Sequence, residues 1–321
     1  MPNASTSQPQ WRILLAFACV YVFWGSTFVA IRYGVRFLSP FFVSGLRTVT
    51  AALILLAILK FRGVSLRMSK RQFAQTAVLG LLLVTLNNSM LGFSEKYVTA
   101  GYAALLTACV PILIVVIESV IPGGNPLSRQ GWLGTLLGAG GLALLLWPAL
   151  RGGIATHDAG AAANPALKGT LILLIGISAW IAGSMVSSRS PTGLNPFVAA
   201  GMQMLLGGST NILLGTVTGG WRTAHWNHGV LLALLWLAIG GSLVGFSAFT
   251  YLLQHVAVAK VTTNAYVNPM VAVLLSSLFL GETLHGSQWI AMAVILVAVA
   301  IVTASRSKSV VREELDTEAV V

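Results

Sequence analysis

The chain has 321 residues, of which 56% are apolar and 8% charged, against roughly 25% charged in an ordinary soluble domain. A water-soluble fold of this length needs a charged surface to stay dispersed, and this sequence has too few charges to build one, so its solvent is lipid. The formal net charge of +11 does not point to a nucleic-acid partner, because the basic residues are scattered between apolar runs and form no one-sided stripe.

A bilayer core about 30 Å thick is crossed by about 20 helical residues. After a polar N-terminal tail at 1–12, ten apolar runs of that order follow, bounded by charges, Pro or Gly clusters. The first, 13–31, carries no small-residue cleavage site and is expected to remain as a span. The next four are 41–60, 73–93, 99–121 and 131–148. A Gly/Ala-rich connection at 149–166 leads to 167–187, 197–217, 229–251, 262–280 and 287–304, and a tail of mixed charge at 305–321 is expected to be disordered. The expected fold is therefore an all-α integral membrane protein with ten transmembrane helices, leaving no room for a soluble catalytic domain. With the N-terminus in the cytoplasm, twelve Lys and Arg fall on the cytoplasmic side and six on the other, the densest group running from Lys60 to Arg71. That excess predicts both termini inside.

The two halves repeat their landmarks in order. Gly25-Ser26 answers Gly183-Ser184, Pro40 answers Pro196, and Pro111 answers Pro269, the last two landmarks being 71 residues apart in one half and 73 in the other. A Gly-x-x-Leu turn follows in each, Gly124 to Leu127 and Gly281 to Leu284. A duplicated unit of five spans, 13–148 and 167–304, must thread the membrane in opposite senses, because five is odd; this is the inverted-repeat architecture of secondary transporters. Pro111 and Pro269 each remove a backbone donor, freeing carbonyls near Thr107 and Ala265 and allowing each helix to bend, either at a central site or merely for packing.

The runs Trp24-Gly25-Ser26-Thr27, Asn264-Ala-Tyr266-Val-Asn268-Pro269 and Gly281-Glu282-Thr-Leu284 resemble the drug/metabolite transporter superfamily, specifically EamA-type exporters, over essentially residues 13 to 304. The resemblance implies export of a small metabolite across a bacterial inner membrane. One departure is that Asn125 stands after Gly124 where Glu282 follows Gly281, so only the second repeat keeps that acidic position.

An ionisable side chain inside a span should face a partner or a wet cavity. Arg47 lies seven residues past Pro40, deep enough to hold an anionic group of a solute, to set the cavity's field, or to bond helix-end carbonyls. Gln203 is its positional counterpart in the second half. Glu118, near the cytoplasmic end of the fourth span, is a candidate proton carrier or an interfacial pairing group, whereas Glu95, Lys96 and Glu282 read as interfacial or loop residues. Asn87 and Asn88, with Asn264 and Asn268 at i and i+4 on one helix face, can hydrogen-bond a solute or hold helices together. Trp24, Trp180 and Tyr266 can wall a cavity, while Trp11, Trp132, Trp147, Trp221, Trp226 and Trp289 sit at span ends as interface anchors. Small-residue stripes, Gly134, Gly138 and Gly141 in the fifth span and Gly241 and Gly245 in the eighth, allow close helix contact within the chain or between chains.

The sequence thus predicts a carrier of small organic solutes, amino-acid-like or drug-like, with no cofactor and no metal, and with proton counterflow as one driving force. A membrane-embedded enzyme acting on lipid-linked substrates would need clustered His or carboxylates at one interface, and a channel would need repeated rings of charge. Oligomeric state stays open.

Overall fold

The computed structural model describes residues 10–121, 127–154, 164–256, 261, 263–284 and 286–318. All regular elements among them are helical: α1 (Gln10–Gly34), α2 (Pro40–Phe61), α3 (Lys70–Ser94), α4 (Ala100–Val120), α5 (Arg129–Ile154), α6 (Pro165–Arg189), α7 (Pro196–Val217), α8 (His228–Leu252, continuing to His255), α9 (Asn264–Leu280) and α10 (Gly286–Glu318). Among the described residues, nine helices are long and apolar enough to cross a bilayer, and α9, with 17 residues, is a shorter tenth.

Local chemistry sets the helix ends. Pro40, Pro165 and Pro196 open α2, α6 and α7, where a missing N–H costs nothing because the first turn has no internal acceptor for it. The side chains of Thr99, Asn164, Asn195 and Asn227 accept from first-turn N–H groups of α4, α6, α7 and α8, the usual work of an N-cap. At the end of α9 the chain turns through Gly281 at φ 65°, a left-handed conformation that a side chain disfavours.

One expectation changes. The tail from residue 305 is not irregular: the backbone of α10 runs on to Glu318, since a stretch without Gly or Pro continues a helix already nucleated in the span. The Gly124 to Leu127 turn, with Asn125, falls largely outside the described residues, as does most of the 149–166 connection.

Large apolar side chains such as Leu136, Ile175, Leu232, Leu278 and Phe279 are exposed around the bundle, as lipid-facing positions require. The six span-end tryptophans are each about half exposed. Helix contacts are reciprocal between the halves: α2 packs on α7 and α5 on α10, each pair joining corresponding elements, while α3 packs on α6 as α1 does on α8. Small residues make these approaches possible. A Cβ at Gly25 would lie 2.6 Å from Val271 Cβ on α9, so α1 and α9 meet backbone to side chain. The α5 stripe is an intrachain seam: a Cβ at Gly134 or Gly141 would press on Val302 or Ile295 of α10, and one at Gly138 on Ile112 of α4. Polar contacts join α2, α3 and α7 through the fully buried Asn211, whose Nδ2 donates to Ser44 Oγ at 2.8 Å and whose Oδ1 accepts from Ser89 Oγ at 2.8 Å. Such side-chain bonds between membrane helices are worth about 0.6 kcal/mol each on average.

Among the described residues, three helices widen into π-helical turns: α1 at Val20–Trp24, α3 at Gly80–Leu86 and α8 at Trp236–Val244. A π turn inserts an extra residue and leaves carbonyls unpaired within the helix, and it occurs preferentially at functional sites.

Candidate functional site

The π turns of α1 and α8, which carry Trp24 and Gly241, lie beside the irregular parts of α4 and α9, and the π turn of α3 ends just before Asn87 and Asn88. Helix α4 is interrupted by a turn at Ala108 and Cys109, after which Pro111 lies in the first turn of the second segment, Val110–Val120. Helix α9 begins at Asn264 after a turn at Thr263, and Pro269 lies inside it. The two prolines are therefore not equivalent. Pro111 follows a break in its helix, whereas Pro269 is carried within a continuous one, a turn past its start.

Between these elements lies a cavity of about 380 Å³, lined from α1, α2, α3, α4, α6, α8 and α9. Trp24, Arg47, Asn88, Pro111, Trp180, Asn264, Asn268 and Pro269 all line it, together with Asn87, Thr27, Thr107 and Gly241. Trp24 is pinned by its Nε1, which donates to the carbonyl of Gly241 in the α8 π turn at 3.0 Å. The Arg47 side chain, 8% exposed, donates from Nη2 to Asn88 Oδ1 at 2.9 Å. Two buried atoms on this lining have no hydrogen-bond partner among the described residues, Arg47 Nε as a donor and Asn268 Oδ1 as an acceptor. A solute carrying both an acceptor and a donor would satisfy them.

Three of the expected site residues lie elsewhere. Gln203 is in the α3–α7 contact, its backbone carbonyl 2.8 Å from where a Cβ on Gly80 would stand. Tyr266 packs against the main apolar core, because a residue two positions from Asn264 and Asn268 is turned about 200° away from their shared face. Glu118 stands two residues before the end of α4 and off the cavity.

At the face opposite the N-terminus, charged groups that read as peripheral in the sequence are drawn together. Arg32 Nε, near the end of α1, donates to Glu282 Oε1 at 2.8 Å, and a terminal nitrogen of Arg32 donates to the backbone carbonyl of Glu95 at the end of α3. The other carboxyl oxygen of Glu282 accepts from the N–H of Ala100, the first residue of α4, at 2.9 Å. Four helix ends, those of α1, α3, α4 and α9, are thus tied by one arginine and one glutamate. Glu95 does not face solvent: it is fully buried, and neither carboxyl oxygen has a hydrogen-bond partner among the described residues. Burial pushes this carboxyl well above the usual carboxylate range; Arg32 pulls it down, Glu282 pushes it up and Arg47 pulls it down, with burial the largest effect. Nothing local in Ser94-Glu95-Lys96 distinguishes a buried glutamate from an exposed one, so only the packing of distant loops reveals it. On the N-terminal face, α1 meets the start of α9 through a neutral bond, Tyr21 Oη to Thr263 Oγ1 at 2.6 Å.

The profile of the EamA-like transporter family matches residues 11–147 and again 167–304. The chain is 33% identical over 291 residues to YedA, an inner membrane transporter of Escherichia coli strain K12, covering 90% of this chain and 89% of that one. It is 26% identical over 302 residues to a WAT1-related chloroplastic protein of Arabidopsis thaliana, covering 91% and 69%. A protein of known crystal structure superposes with a TM-score of 0.63 at 21% identity, covering 91% of this chain and 96% of that one, which is a likeness of fold.

Proposed function

This chain belongs to the EamA-like transporter family, and from that premise we propose that it exports a small, amino-acid-like organic solute bearing an anionic group across a bacterial inner membrane. It does so as a carrier and not as an enzyme, by alternating access between two inverted five-helix halves, 13–148 and 167–304, with both termini in the cytoplasm. The observation that carries the reading is the cavity itself. It sits where both halves contribute irregular helices, the setting in which secondary transporters bind their cargo, and its volume lies at the small end of the range for ligand sites, about 300–1,000 Å³.

Arg47 selects the solute. A buried cation beside a cavity attracts an anion, and a carboxylate accepts two parallel bonds from a guanidinium. Asn88 orients that guanidinium, Asn264 and Asn268 receive the solute's polar groups, and Trp24 with Trp180 walls its apolar part. The reciprocal packing of α2 on α7 and of α3 on α6 supports halves related by a two-fold axis. On this reading the Arg32–Glu282 tie is the latch that holds the outer side shut. A membrane potential of 100 mV supplies about 2.3 kcal/mol per charge moved, and counterflow of protons is the second source of drive. Glu118, off the cavity, is poorly placed to provide it.

The test is efflux of a metabolite panel from cells with and without the protein, followed by counterflow in proteoliposomes of whichever solute is exported. Saturable exchange that Arg47→Gln abolishes for anionic solutes supports the reading. Flux that neither saturates nor exchanges refutes it.

A further inference from the structure

The Arg32–Glu282 latch lies beside a buried group for which the carrier cycle as described has no use. Glu95 ends α3 beneath Arg32 and is fully buried, yet Arg32 gives its side-chain bond to Glu282 and meets Glu95 only at the backbone carbonyl. Both Glu95 oxygens, and the neighbouring Ser94 Oγ, are buried without partners among the described residues. An ionised carboxylate stripped of water and donors is costly, and the protein avoids that cost by keeping the group neutral. The charged groups facing it are Arg32 from α1, Arg47 from α2 and Glu282 from the turn after α9. Its neighbour Lys96 extends over the Phe93 ring at 6.0 Å, and Lys168 of α6 over Tyr97 at 4.7 Å.

Resting on the alternating-access reading, we propose that Glu95 is a proton-binding site whose occupancy is tied to the latch. It carries a proton while Arg32 is committed to Glu282, and releases it when the latch opens. On opening, the Glu95 O–H bond breaks, the proton passes to water on the outer side, and the carboxylate takes Arg32 as its counter-ion in place of Glu282. Closure is the reverse and requires uptake of one proton. The closed state therefore binds more protons than the open one, so acid favours closure and alkali favours opening. In the range between the open-state and closed-state titrations, the closed-to-open ratio falls about tenfold per pH unit for one linked proton. The burial that raises the closed-state carboxyl places this range above the ordinary carboxylate titration.

The experiment needs no solute. Spin labels are placed at Lys96→Cys and Thr283→Cys, two exposed positions flanking the latch, in protein with Cys19→Ser and Cys109→Ala, and the inter-label distance distribution is followed between about pH 5 and pH 9. The expected result is a short distance that gives way to a long one as pH rises, a Glu95→Gln variant that keeps the short distance throughout, and a Glu118→Gln variant that follows the parent. A parent that ignores pH, or a Glu95→Gln variant that still responds as the parent does, overturns the proposal. Should Glu95→Gln fail to fold, the infrared acid-minus-alkali spectrum of Glu118→Gln protein, isotopically labelled at the glutamate carboxyls, decides. A protonated-carboxyl band lost over the same pH range as the short distance upholds the site, and its absence overturns it. A negative outcome removes the proton site alone; the carrier reading fails only if the exchange assay fails.

Discussion

Replacing Glu282 by Gln is the sharpest way to loosen the latch while leaving the cavity intact. The amide keeps an oxygen for the N–H of Ala100 but loses the charge that holds Arg32. The two partners are 19% and 9% exposed, so solvent screens the pair little, and a hydrogen bond to a charged group is worth about 1.5–3 kcal/mol. A loss of about 2 kcal/mol from the closed state alone lowers the closed-to-open ratio about thirtyfold, since 1.36 kcal/mol is a factor of ten. The assay is the rate at which a membrane-impermeant thiol reagent, added outside cells, modifies Leu91→Cys, a position that lines the cavity beneath the latch. When opening is a fast pre-equilibrium, the rate follows the open fraction and rises about thirtyfold in Glu282→Gln over the parent. Arg32→Gln should raise it at least as much, because it also loses the bond to the Glu95 carbonyl, and the double variant should resemble Arg32→Gln, because the ion pair is already gone. A rate unchanged by either single substitution would refute the assignment of this ion pair as a latch.

Two further outcomes follow from the same geometry. Arg47→Gln should weaken binding of an anionic solute by about 10- to 150-fold, the equivalent of one charged hydrogen bond, with Arg47→Lys restoring only part because an ammonium cannot reproduce the paired guanidinium bonds; competition assays in detergent measure this. Gly25→Ala places a Cβ 2.6 Å from Val271 Cβ, so α1 must move off α9. The overpacking should cost about 1–3 kcal/mol and lower the thermal unfolding midpoint, and Val271→Ala should recover part of the loss.

Much of the bundle is written in run length and hydropathy, because a span needs only enough apolar residues to cross the core. The shortness of α9 is not, since it depends on where backbone pairing stops near Thr263. Arg47, Asn88, Asn264 and Asn268 stood out as polar groups that lipid would not tolerate, and they line one cavity. Gln203 matches Arg47 only in repeat position, and matching positions need not share an environment when α7 turns this face to Gly80 of α3. Tyr266 could have been set aside from helix periodicity alone, as it is two residues from each of the asparagines. Glu95, Arg32 and Glu282 lie 63 to 250 positions apart in pairs, and their meeting depends on how four helix ends converge, which no local pattern records.

The central claim, that one cavity is offered to each face in turn, is tested by Thr107→Cys, a half-buried position on the cavity lining. The measurement is its modification by an impermeant thiol reagent applied to one face and then the other of oriented membrane vesicles, with and without the exported solute. Alternating access predicts modification from both faces, slowed from both by the solute. Modification confined to one face under every condition, or unaffected by the solute, would contradict it.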